Sequence, residues 1–113
     1  MLFRSIKNVL VLAVEVESMD RNQMRNVADA LRNKLKSVVI VLASNEDGNV
    51  AIITAVTKDL TSKVHAGKLA GTVAQAVGGK GGGRPDMAEA GGKDAAGLAA
   101  ALEAVYVAVE AML

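Results

Sequence analysis

Two nearly unbroken runs of apolar, β-branched residues constrain this chain more than any other feature. Val9 to Val16 reads VLVLAVEV, and Val38 to Ala43 reads VVIVLA. A strand that meets water on one face alternates apolar with polar residues. A run without alternation therefore predicts a strand covered on both faces. Between the runs the period changes. Met24, Val27, Ala28, Leu31 and Leu35 recur at steps of three and four, the stripe of a helix packed along one side. Asp29, Arg32, Asn33 and Lys36 fall on its other faces. Ser18 and Asp20 offer caps, and Asp20 with Gln23 three residues on predicts a capping box. A strand, a helix and a strand in this order predict a parallel pair with the helix as crossover.

Downstream, Asp47-Gly48 is a hairpin turn signal, followed by a third strand over Val50 to Thr57, antiparallel to the second. Residues Lys58 to Val64 read as a turn or short irregular helix. Ala66, Leu69, Ala70, Val73, Ala74 and Val77 form a second helix stripe, ended by Gly78 and Gly79. Gly67 and Gly71 lie on the opposite face of that helix, each weakening it by about 1 kcal/mol relative to Ala. Their smooth face invites close packing; the sequence does not say by what, and another chain is one candidate. Met87 to Ala90 reads as a short fourth strand, and Asp94 as the cap of a last helix. Leu98, Leu102, Val105, Val109 and Met112 are its core-facing stripe. The fold class is α/β: a small mixed β-sheet of three to four strands packed with about three helices. Residues 1–8 read as a leader or a segment of foreign origin, and 9–113 as one domain. The longest clean apolar run near the start, Val9 to Val14, is far short of the roughly 20 residues of a membrane span.

Composition excludes more than it assigns. The 113 residues contain no Cys and one His, which excludes a zinc site built from several such ligands. Two aromatics, Phe3 and Tyr106, leave little for recognition by base stacking. His65 stands in no nucleophile motif and reads as a flank or cap of the second helix. Asp86 and Glu89 read as an acid–base pair or as partners of local backbone and neighbouring cations.

The segment Gly78 to Gly92, GGKGGGRPDMAEAGG, has seven glycines in 15 residues. Ordering glycine is entropically expensive, so such a density needs a reason. Backbone N–H groups converging on an anion are one reason, with Lys80 and Arg84 adding charge-assisted bonds to phosphate. A mobile loop, or a tight crossing of backbone over the sheet, is another. The Gly-Lys pairs at 67–68, 79–80 and 92–93 are followed by Leu, Gly and Asp, so none is a nucleotide phosphate loop. A dinucleotide fingerprint fails as well, because position 84 is Arg. The net charge of +1 hides an uneven distribution. Residues 58–93 carry six basic and three acidic side chains, and residues 94–113 carry three acidic and no basic ones. The glycine segment thus lies in the basic third, which points to a polyanionic partner.

This glycine string resembles the signature near the C-terminus of bacterial alanyl-tRNA synthetases. Its flanks are similar too: Val73-Ala-Gln-Ala-Val77 before it and Lys93-Asp-Ala-Ala-Gly-Leu98 after it, with Val38 to Ala43 and Ala66 to Gly71 upstream. The resemblance runs from about Val9 to Leu113 and implies a single C-terminal tRNA-binding domain of a larger synthetase. Its fold is related to the domain attached to DHH-type phosphoesterases. Those enzymes typically carry Gly-Gly-Gly-His, whereas Gly81-Gly82-Gly83 here precede Arg84 and Pro85, a departure that argues against hydrolysis. The resemblance implies binding of alanine-specific tRNA at its elbow, coupling aminoacylation with editing. It implies that ATP, magnesium and zinc belong to other domains of the same enzyme. The residues read as RNA-binding are Gly78, Gly79, Lys80, Gly81, Gly82, Gly83, Arg84, Lys93 and Lys68, with no catalytic or metal-binding residue. The expected partners are tRNA, the remaining domains of the synthetase and a weak homodimer, with no membrane, in the cytoplasm. The alternative is a structural or dimerisation module with little RNA affinity of its own.

Overall fold

Strand follows helix follows strand, as the apolar periods require. The computed structural model describes residues 4–17, 19–35 and 37–113; the readings on Phe3, Ser18 and Lys36 lie outside them. The elements in chain order are β1 (Arg4–Ile6), β2 (Val9–Glu15), α1 (Arg21–Lys34), β3 (Val38–Glu46), β4 (Asn49–Val56), α2 (Ala66–Ala76), β5 (Lys80–Gly83), β6 (Met87–Gly92) and α3 (Leu98–Met112). Short 3₁₀ turns at Lys58–Leu60 and Ala95–Gly97 precede α2 and α3. The strands form one mixed sheet in the order β1-β2-β3-β4-β6-β5. β2 and β3 are parallel, joined through α1, and the other pairs are antiparallel.

Both faces of the sheet are covered, which is why β2 and β3 lack alternation. Val39 and Val41 of β3 point into the core shared with α2 and α3, while Val38, Ile40 and Leu42 point into the one under α1. Ile40, Leu42, Ile52 and Ile53 are completely buried, each worth roughly 1.5–3 kcal/mol of transfer free energy. α1 starts on the expected capping box. Asp20 accepts from the Gln23 backbone N–H at 2.8 Å, and the Gln23 side chain accepts from Asp20 N–H at 2.9 Å. The β3–β4 turn has positive φ at Asp47 (53°) and Gly48 (87°), as a two-residue hairpin turn demands. α2 ends on Gly78 at φ 66°, with Gly79 N–H donating to the Ala74 carbonyl at 2.8 Å, a Schellman closure.

Three expectations change. Among the described residues the sheet has six strands where three to four were expected. The additional strands are β1 and β5. β1 has three residues, too few to show a period, and turns through Lys7 and Asn8 at φ 49° and 68° within the segment read as a leader. β5 has no side chain after Lys80, so it carries no hydrophobic pattern to read. Asp94 does not cap the last helix with its side chain: it precedes the 3₁₀ turn, and Gly97 occupies the N-cap of α3. Met112 is only partly buried, while Leu98, Leu102, Val105 and Val109 sit in the core as expected. The segment Ala95–Met112 is long and apolar enough by composition to cross a membrane. Here its apolar stripe packs on the sheet, and Tyr106 Oη lies 3.2 Å from the Ala13 N–H that donates to it.

The smooth face of α2 is taken by this chain's own β5. A Cβ on Gly67 would lie 2.6 Å from the Gly83 carbonyl oxygen, whereas one on Gly71 would lie 3.7 Å from the Gly81 oxygen, an ordinary contact. The two glycines therefore separate experimentally. Gly67→Ala is expected to destabilise by roughly 1–3 kcal/mol, because the obstacle is backbone. Gly71→Ala is expected to stabilise by roughly 0.5–1 kcal/mol through helix propensity. Urea unfolding of both variants checks this, and equal losses would contradict the packing. A second test concerns Asp59, whose carboxyl is held below the usual aspartate value by hydrogen bonds from Ser37 and Thr57. A depressed folded pKa stabilises above the unfolded value and is lost as pH falls through the folded one. Ser37→Ala should move the Asp59 midpoint upward in an NMR titration.

Candidate nucleic-acid interface

The glycine segment is a hairpin and not a loop, its β5 an exposed edge strand and its β6 an interior strand beside β4. β5 and β6 pair from Lys80↔Gly91 to Gly83↔Ala88, and Arg84 N–H donates to the Met87 carbonyl at 3.0 Å around Pro85 and Asp86. Most of its glycines are there because backbone packs on backbone. A Cβ on Gly79 would lie 1.7 Å from the Gly91 oxygen, one on Gly81 2.3 Å from Ala90 Cβ, and one on Gly83 2.9 Å from Ala88 Cα. Gly82 differs. A Cβ there would meet nothing within 4 Å, and its φ is not left-handed. Neither packing nor backbone conformation requires glycine at that position.

α1 brings arginines to this hairpin from the other side. Arg21 Nη2 donates to the Ala90 carbonyl at 3.2 Å, and Arg32 Nη1 to the Asp86 carbonyl at 2.9 Å. Arg25 pairs with the Glu89 carboxylate. Asp86 lies 3.5 Å from Arg32 and 3.9 Å from Arg84. Asp86 and Glu89 thus hold neighbouring cations. Such partly exposed pairs contribute about 0–1 kcal/mol each to stability, so they orient the arginines more than they hold the fold.

The predicted residues fall into two clefts. Gly82, Gly83 and Arg84 line a cleft of ≈ 330 Å³ at the turn end, with Arg25 and Arg32. Gly78, Gly79 and Lys93 line one of ≈ 370 Å³ at the open end, with Arg21 and Asn49. Lys80 and Gly81 lie on the exposed strand between, and Lys68 lies exposed on α2; none of the three lines either cleft. Arg84 is 79% exposed, with its Nε 3.9 Å from the Asp86 carboxylate. Arg21, Arg25 and Arg32 were not among the residues expected from sequence. Their steps of four and seven place them on one helix face, a signal that becomes informative only once that face has a neighbour. His65 is a cap, its Nδ1 accepting from Lys68 N–H at 3.2 Å. Among the described residues, no three His, Cys, Asp or Glu side chains converge as metal ligands would.

Known proteins share both this sequence and this fold. The chain matches the DHHA1 domain over residues 7–111. It is 71% identical over 110 residues to the alanine–tRNA ligase of Solibacter usitatus, and 55% identical over 100 residues to that of Herminiimonas arsenicoxydans. These alignments cover 97% and 88% of this chain but 12% of each relative, so the chain spans a small part of their length. The C-Ala domain of Aquifex aeolicus alanyl-tRNA synthetase superimposes with a TM-score of 0.91 at 26% identity, covering 97% of this chain and 99% of that one. The chain therefore belongs to the DHHA1 domain family, and within it stands with the C-terminal domains of alanyl-tRNA synthetases.

Proposed function

We propose that this domain binds the elbow of tRNA, where the D and T loops meet, as part of a cytoplasmic alanine–tRNA ligase. Binding there helps the aminoacylation and editing modules of that enzyme act on one bound tRNA. The observation that carries the reading is Gly82, an exposed glycine that the fold does not need, on a strand flanked by Lys80 and Arg84. Missing side chains let a polynucleotide backbone approach closely, and the flanking cations meet its phosphates. Tyr106 does not serve as a stacking platform, since its ring lies under Arg4 at 4.0 Å and its hydroxyl is engaged by Ala13. Recognition is therefore by shape and phosphate, with weak selectivity among tRNAs.

Titration of the domain with tRNA at several salt concentrations tests the reading. Affinity should fall with salt, and Lys80→Ala or Arg84→Ala should each weaken binding and reduce the salt slope by about one. Gly82→Ala should keep the urea midpoint of the parent yet bind tRNA more weakly, whereas Gly81→Ala should lose stability. Absence of tRNA binding at low salt would overturn the reading.

A second reading, a module that pairs with another chain, is favoured by the outer face of α3. Val107 is 72% exposed there, beside the exposed Ala104 and Ala111. Light scattering across a dilution series decides it: a dimer that Val107→Glu dissociates, and that hairpin substitutions leave intact, would favour this reading.

A further inference from the structure

We propose that the open end of the glycine hairpin is a second phosphate seat, in which Arg21 and Lys93 hold a backbone phosphate of the RNA above Gly91 and Gly92. This rests on the reading that the domain binds tRNA, and it names where the strand runs beyond Arg84.

Charge separates this cleft from the one at the turn. There, Arg25, Arg32 and Arg84 each have a carboxylate within 4.0 Å. Here, among the described residues, Arg21 and Lys93 form no ion pair, and no carboxylate lines the cleft. Asp20, Glu46 and Asp47 line the neighbouring recess that Arg21 also borders. Arg21 is nevertheless aimed at the hairpin, because its Nη2 donates to the Ala90 carbonyl. Two unpaired positive charges in a concave, glycine-walled site focus the field on an entering anion.

The placement of Arg21 is not explained by the helix that carries it. It is the first residue of α1, the positive end of the helix dipole, where a cation is disfavoured. The glycine opposite makes room for it: a Cβ on Gly91 would lie 3.0 Å from Arg21 Nη2 and 3.2 Å from the Val50 oxygen. One guanidinium N–H is used on Ala90, and the planar fork leaves others for a phosphate. Asn49, at the start of β4, adds an amide to the same wall. The four residues of β5 separate the two ends by roughly 13 Å, so a single strand of RNA reaches from Arg84 to Lys93 along the exposed glycines.

The test uses the ¹⁵N-labelled domain and tRNA. The amides of Gly91 and Gly92 should shift on titration, together with those of Gly82 and Gly83. Arg21→Gln and Lys93→Gln should each lower affinity about 3–10-fold at low salt and reduce the salt slope by about one. Arg21→Lys should restore the slope, and Lys34→Gln should bind like the parent. If tRNA binds the parent, and Lys80→Ala and Arg84→Ala weaken it while Arg21→Gln and Lys93→Gln do not, the second seat is overturned and the elbow reading stands. If the parent binds no tRNA, both fall together.

Discussion

The contact on which the rest of this structure depends joins backbone to backbone. α2 lies against β5 through Gly67, and β5 with the preceding Gly79 lies against β6 through Gly79, Gly81 and Gly83. No side chain fits in these layers, so the apolar area that usually holds a sheet edge is missing. β5 is held instead by its ladder with β6 and by shape fit to the helix. Ordered glycine is entropically unfavourable, so a strand of this kind persists only where its neighbours are fixed. They are fixed here by a deep core: Leu69, Ala70, Val73 and Ala74 of α2 are buried against the sheet, as are Ala88 and Ala90 of β6.

That arrangement turns a fold requirement into a surface. The side chains that would ordinarily shield an edge strand are absent, and what is presented outward is peptide backbone with Lys80 and Arg84 at its ends. The arginines of α1 reach the same hairpin across the other face of the sheet. Their bonds to Ala90, Glu89 and Asp86 tie helix to hairpin and set the guanidinium groups in a row along it. The ion pairs add little to stability because they remain partly hydrated. Their effect is positional: they fix where the guanidinium groups stand relative to the hairpin.

How legible this was in the sequence varied with the residues. The β2–α1–β3 unit and the Asp47-Gly48 turn were readable because each rests on local chemistry: a period, a cap, a left-handed turn position. So was the C-terminal stop at Gly78. β5 was not, because a strand is recognised by its side chains and this one has almost none. The basic third of the sequence holds the hairpin's own cations, yet the arginines that meet the hairpin come from α1. Nothing near Arg21, Arg25 or Arg32 in the chain marks them, since their neighbour is 54 to 69 residues away.

Side-chain period and local turn chemistry were enough to determine the α/β class, the parallel core pair, the helix stripes and the glycine segment as the place of interest. Those are properties of short stretches, and short stretches report them. The tertiary structure decided that Lys80–Gly83 is a strand, that Gly67 is required by packing while Gly82 is not, and that Arg21 shares a cleft with Lys93. Each of these depends on what lies across a few ångströms of space. Only the assembled sheet, with helices laid on both faces, brings those groups together.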